Sequence, residues 1–311
     1  MKKMKSNKYL EKVTGPVIPI PTPFTKSQDV DYAALKSYIQ FLVDRGIKNV
    51  MTTVGTSRFN LLSEEEVKRV NETIVESVDG KAVTIVANPL TGGTKHAIDF
   101  AKHSEEIGAD LFMAYFPERH YGEENTFKFF EQVCNNISIG VLIHEMPKRS
   151  GLGGGPVHYS LPLLDKLFEI DNLVGLKEEA LDADYSNQIV ERFSKIAVII
   201  GAGGGMSRYL YRDFDLGAKT FLGAVGNFIP ELELEFFDAI TSGNKERATQ
   251  IVEELEQPFF EKAVPMGWHP GLKAALALKG LMPIYEREPM KFMSGAEVEE
   301  LKSIMKSYNW L

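Results

Sequence analysis

The chain has 311 residues, 44% of them hydrophobic, which suffices for one large core and lies in the size range of undivided α/β barrels. A net charge of −8 argues against a nucleic-acid partner, no stretch approaches the ~20 apolar residues of a membrane span, and the single cysteine, Cys134, allows no internal disulfide. The basic start Met1-Lys2-Lys3-Met4-Lys5 lacks the apolar run of a signal peptide, so the expectation is a soluble, cytoplasmic protein.

Short β-rich runs alternate with amphipathic stretches in chain order. Strands are expected over 17–21, 49–54, 82–87, 110–115, 138–144, 173–177, 197–201 and 220–224. Helices are expected between them, over 31–45, 63–77, 94–107, 124–135, 160–168, 183–193 and 207–214. Ser63-Glu64-Glu65-Glu66 has the form of a capping box, with Glu66 at the third helical position. Eight such alternations imply a parallel sheet, and eight strands close a barrel. Past residue 228 the strand signal stops. Helical patterns over 230–240, 245–262, 271–279 and 295–307 predict a (β/α)8 TIM barrel over 1–227 and a C-terminal helical extension over 228–311 packed on it.

Three features carry chemistry. Lys177 closes the apolar run Leu173-Val174-Gly175-Leu176 and is followed at once by Glu178 and Glu179. A lysine held inside a low-dielectric barrel favours its free amine, a nucleophile for carbonyl carbon; a frayed strand end would instead let it snorkel outward to those glutamates. The glycine-rich loop Gly151-Leu152-Gly153-Gly154-Gly155-Pro156 follows the fifth strand, on the face where barrel loops carry function, and is either a lid or a plain connection. Gly201-Ala202-Gly203-Gly204-Gly205 follows the seventh strand without the acidic strand end of a dinucleotide fold. It is expected to let backbone approach a substrate at Gly201 or to leave room for a bulky one. No cluster has metal-ligand spacing, and neither metal nor cofactor is expected.

Four stretches in order resemble the dihydrodipicolinate synthase / N-acetylneuraminate lyase family of class I aldolases and dehydratases. They are Val54-Gly55-Thr56-Ser57, Met146-Pro147-Lys148-Arg149-Ser150-Gly151, Gly175-Leu176-Lys177-Glu178, and Gly217-Ala218-Lys219-Thr220 through Asn227-Phe228-Ile229-Pro230. The opening Pro19-Ile20-Pro21-Thr22-Pro23-Phe24 and the later Leu272-Lys273-Ala274-Ala275-Leu276 are similar as well. The resemblance implies a barrel with a helical tail, an imine between Lys177 and a 2-oxo acid, a carboxylate site at Thr56 and Ser57, and Arg149 as a substrate-contacting cation. It also implies a homo-dimer or homo-tetramer. Thr56 and Ser57 also fit an ordinary helix cap.

The departures from the family are as informative. The family tyrosine three residues before the proline of the second stretch is His144 here. Histidine can also move protons, with an unperturbed pKa of ~6.5, so activity would follow an ionisation in the mid-pH range; alternatively His144 is a core residue. A second family tyrosine, which crosses into the neighbouring subunit's site, is Phe116, with Tyr115, His120 and Tyr121 nearby as substitutes or packing groups. Arg58 stands where relatives have no cation. With Arg149 it would recognise an acidic distal group, or it would turn outward to Glu64 or Glu65. Strand alternation puts Glu179 on the Lys177 face, as a proton acceptor or a partner for the ammonium, and sends Glu178 to the helices. The expectation is a metal-free lyase performing aldol or retro-aldol chemistry on a 2-oxo acid. Dehydration of a deoxy sugar acid and a non-catalytic 2-oxo-acid-binding barrel are the alternatives.

Overall fold

Val17, Met51, Ile85, Met113, Leu142 and Ile200 come from six different strands and meet in one buried cluster. Their outward neighbours, among them Ile18, Val50, Val86, Phe112, Ile143 and Ile199, join a second and larger cluster with the helices. A period of two between these clusters is what parallel strands buried on both faces require. In the computed structural model, which describes residues 7–89, 92–146, 149–151 and 153–311, the strands close into a barrel. They are β1 (Gly15–Pro19), β2 (Asn49–Thr52), β3 (Val83–Ala87), β4 (Leu111–Ala114), β5 (Gly140–Glu145), β6 (Leu173–Glu178), β7 (Val198–Gly201) and β8 (Thr220–Leu222). Each pairs in parallel with its sequence neighbour, and β8 returns to β1. Every strand end lies within about two residues of the place the sequence predicts.

The helices follow the expected alternation. Glu64–Val78 starts on the predicted box, with Ser63 Oγ accepting from Glu66 N–H and Glu66 accepting from Ser63 N–H. The helix Pro230–Thr241, expected at the head of the tail, packs on β1 through Phe237 and completes the ring after β8. Beyond it, Lys245–Gln250 widens into a π turn over Ile251–Glu256 and resumes as Gln257–Ala263; Trp268–Leu278 and Gly295–Ser307 follow. No helix among the described residues is long and apolar enough to cross a membrane.

One irregularity sets the phase of the chemistry. Val141 pairs with Leu173 but Leu142 pairs with Gly175, so Val174 is an extra residue in β6. A bulge of this kind rephases the strand. From there Lys177 is level with His144 of β5, and Glu178 with Glu145.

Candidate active site

Lys177 and His144 are paired neighbours on adjacent strands, so their side chains leave the sheet on the same, inward side. Lys177 Nζ lies 2.8 Å from His144 Nε2 and is ion-paired with Glu179 Oε2, which is itself 2.8 Å from His144 Nε2. Three ionisable groups thus share one junction. Their neighbours on the strands point the other way, as alternation requires. Glu178 is buried against Arg208, which also binds Asp213 at 2.7 Å, and Glu145 accepts from Tyr159 N–H and the Tyr185 hydroxyl. His144 and Glu145 therefore face opposite sides.

The junction is nearly dry. Lys177 is 3% exposed and His144 5%. Burial, and then the charge of Lys177, lower the His144 pKa to about 4. Burial works to raise the Glu179 carboxyl, but Lys177 and the His144 hydrogen bond outweigh it and hold Glu179 well below the usual carboxylate range. Near neutral pH the neutral His144 imidazole therefore lies between the Lys177 side chain and the Glu179 carboxylate. His144 Nε2 can accept from Lys177 or donate to Glu179 according to its tautomer.

Tyr115 closes this junction from β4's end. Its ring meets His144 edge-on, 4.9 Å between centroids, and its buried hydroxyl has no hydrogen-bond partner among the described residues. Burial, then Glu179, push that phenol well above its ordinary pKa, so it stays a neutral O–H donor. Phe116, by alternation, leaves the barrel and packs on Phe129 and Phe130. His120 and Tyr121 stay near it on the outer side.

The remaining predicted residues divide. Thr56 lines a cavity of about 350 Å³ at the carboxyl ends of the strands, together with Glu179, Pro19 and Leu222. Ser57 is fully buried in the 3-10 turn Gly55–Ser57, where its Oγ accepts from Val54 N–H. Arg58 requires correction on both expectations. It neither reaches for a distal acid nor turns out to Glu64 or Glu65; it is fully buried and bidentate on Glu286, at 2.5 and 3.2 Å. Its other contacts are the carbonyls of Thr56 and His269. Its left-handed backbone, φ 61°, turns the side chain back under the loop towards the tail. Arg149 is also committed. Its guanidinium stacks 3.7 Å from the Tyr159 ring centroid, donates to His144 C=O and pairs with Glu145 at 3.5 Å, behind β5. Gly201 is glycine for a different reason than expected: a Cβ there would run into Asp213 and Arg208 on the helical side, not into a substrate. Of the motif around Arg149, Pro147 and Lys148 lie outside the described residues, as do Leu152 of the glycine loop and Met1–Lys5.

The far wall of the cavity comes from the tail and was invisible in sequence. Phe260, Val264, Trp268, His269 and Leu272 face it, with Gly203–Gly205 alongside. Aromatic residues in an amphipathic tail read simply as packing, and no spacing marks them for a site 90 residues away. A larger groove of about 750 Å³ runs outside the barrel between the helix Glu123–Cys134 and residues 163–172. It contains none of the junction residues, whereas the smaller cavity is lined by Glu179.

Comparison with known proteins agrees with this frame. The model of the dihydrodipicolinate synthetase family matches residues 12–308. A 4-hydroxy-tetrahydrodipicolinate synthase of Acetivibrio thermocellus is 28% identical over 301 residues, covering 95% of this chain and 97% of its own length. The crystal structure of dihydrodipicolinate synthase from Aquifex aeolicus superposes with a TM-score of 0.80 at 26% identity, over 96% of this chain and 99% of that one. An N-acetylneuraminate lyase from Mycoplasma synoviae shares the fold, with a TM-score of 0.82 at 23% identity over 96% of this chain and 99% of its own.

Proposed function

The chain belongs to the dihydrodipicolinate synthetase family and is an enzyme of its lyase class, and from that premise we propose that it makes or breaks a carbon–carbon bond in a 2-oxo acid through an imine on Lys177. The observation that carries this is the meeting of Lys177, His144 and Glu179 at one buried junction beneath the cavity. Attack of the Lys177 amine on the 2-oxo carbon gives a carbinolamine. Loss of its hydroxyl as water gives an iminium, which accepts electrons far better than the ketone. In the cleavage direction a base removes the proton of the 4-hydroxyl, the C3–C4 bond breaks, and its electron pair moves into the iminium to leave an enamine. Glu179 and His144 are within reach of each other and of Lys177 Nζ, so a proton lost at one can be returned at another. The Tyr115 O–H is an unengaged hydroxyl on the ring beside His144, in the role that the absent family tyrosines would have filled. Thr56 would meet the substrate carboxylate.

Glu179 rather than Lys177 lines the cavity, so the carboxylate lies between amine and substrate and must move aside for attack. That arrangement also suits the rival reading of a barrel that binds 2-oxo acids without turnover. One experiment separates them. Pyruvate with borohydride, read by intact mass and peptide mapping, should leave a reduced adduct on Lys177 and none in Lys177→Ala. Adducts confined to surface lysines would defeat the imine reading. Adducts without cleavage of any 4-hydroxy-2-oxo acid would favour the silent barrel.

A further inference from the structure

Around the cavity, the cationic side chains that could hold an anionic substrate tail are, among the described residues, already bound within the protein. Arg58 is bound to Glu286, and Arg149 lies behind β5 against Tyr159 and Glu145. Lys273 is fully buried and donates to Thr22 C=O at 2.5 Å. The glycines after β7 lead into the short helix Gly205–Arg208, but the N–H groups of Met206 and Ser207 are given to Glu256 at 2.8 and 2.7 Å. A phosphate or carboxylate would have to displace that buried carboxyl group. Asn227 reaches the wall with its side chain spent on Tyr38 and Ala224. His269 is held neutral, its pKa lowered to about 4 by burial and then by Arg58.

Most of the lining left open to a ligand is apolar, with Thr56, Asn227 and the neutral imidazole of His269 among its uncharged polar groups. Pro19, Leu222, Phe260, Val264, Trp268 and Leu272 line the space, and the Phe260 and Trp268 rings meet edge-on at 5.3 Å, forming an aromatic corner. Opposite them Gly203–Gly205 present backbone without side chains; at Gly204 and Gly205 a Cβ would strike Arg208 and Glu256 instead of filling the cavity. Among the described residues the one charged side chain on the lining is Glu179, which repels an acid. Apolar lining with few convergent polar groups selects a ligand by shape and dryness.

Resting on the imine reading above, we infer that the aldehyde half of the substrate is uncharged and aromatic, its ring seated in the Phe260–Trp268 corner while the 2-oxo acid half is bound to Lys177. In the synthetic direction the pyruvate iminium on Lys177 loses a methyl proton to become an enamine. The enamine carbon forms a bond to the carbonyl carbon of the arylaldehyde, whose oxygen takes up a proton. Water then hydrolyses the iminium, freeing Lys177 and a 4-aryl-4-hydroxy-2-oxobutanoate. No oxidant or further reactant is needed. The acidic distal group expected from Arg58 and Arg149 is replaced by a planar apolar one.

The test uses the full-length protein with pyruvate and three aldehydes: benzaldehyde, D-glyceraldehyde and succinic semialdehyde, with product measured by chromatography. The kcat/KM for benzaldehyde should exceed both others by about tenfold or more, the least that desolvating one ring implies. Trp268→Ala should raise KM for benzaldehyde about tenfold with less effect on kcat, as loss of uniform binding does. Trp268→Phe, which keeps an aromatic wall and guards against misfolding of the alanine variant, should recover most of it. Preference for glyceraldehyde or the acidic semialdehyde, with the Lys177 adduct intact, would overturn the aromatic assignment and leave the lyase reading standing. No Lys177 adduct with pyruvate would remove both.

Discussion

Above pH 4 the imidazole of His144 is neutral, since burial and then Lys177 lower its pKa to about 4. Its proton transfers therefore need no ionisation in the middle of the pH scale. The mid-range inflection expected of an ordinary histidine should be missing from the kcat–pH profile between pH 5 and 7, with an acid limb only as pH nears 4. A clear inflection at ~6.5 that disappears in His144→Gln would contradict this placement. His144→Ala should still trap the pyruvate imine yet lose turnover by about 10²–10⁴-fold, the usual worth of general acid–base catalysis. Unchanged turnover would take His144 out of the chemistry. Tyr115 permits a cleaner separation of chemistry from packing. Its buried hydroxyl has no hydrogen-bond partner among the described residues, so Tyr115→Phe removes a desolvated polar group and should leave the melting temperature equal or higher. A relay role predicts a fall in kcat of about 10²-fold, at the low end of general acid–base effects, in the same variant. Full activity with unaltered melting would make Tyr115 a packing residue.

At the scale of elements, the loop carrying Thr56 is held to the tail by Arg58 and Glu286, both fully buried. Truncation at one end leaves the other charge unpaired in a dry site. Arg58→Ala should therefore destabilise the protein by about 3–5 kcal/mol in urea unfolding, far more than an exposed ion pair is worth. A loss under about 1 kcal/mol would mean that Lys273, 3.9 Å from Glu286, takes over as partner. This pair also marks where sequence stops being legible. Strand and helix periods and the box at Ser63 are local, and the barrel could be read from them. The inward turn of Lys177 depended on a bulge at Val174, and the bond between Arg58 and Glu286 spans 228 positions. Neither has a local signature. Arg58 read as a cation for a distal acid or for Glu64 or Glu65 because Glu286 is brought to it only by folding; Arg149 has Glu145 four residues before it, but only folding sets its guanidinium on Tyr159, and the π turn at Ile251–Glu256 looked like uninterrupted helix.

Over the whole molecule the tail forms part of the cavity wall. Trp268 and Phe260 face the cavity, Glu286 anchors Arg58, and Glu256 covers the helix start after β7. Glu256 also makes this union sensitive to pH. Burial raises its pKa to about 8, with neighbouring Glu233 adding to the shift; Glu233 itself is raised by burial to about 7. An unfolded glutamate releases its proton near 4.5, so between about pH 4.5 and 8 the folded chain binds the extra proton. The stabilisation from Glu256 is then complete below pH 4.5 and is lost as pH rises through 8. Lys273, lowered by burial to about 7, and His144 and His269, lowered to about 4, run the opposite way and complicate the wild-type curve. A difference measurement isolates the carboxyl. Glu256→Gln keeps an acceptor for one of the two N–H groups and cannot ionise, so its melting temperature relative to wild type should start lower at pH 5. That difference should climb steadily to pH 8, by about 2–4 °C for each kcal/mol regained, and then level off. A difference that stays constant from pH 5 to 8 would show that Glu256 is ionised throughout, and the amides of Met206 and Ser207 would then be held by a full negative charge.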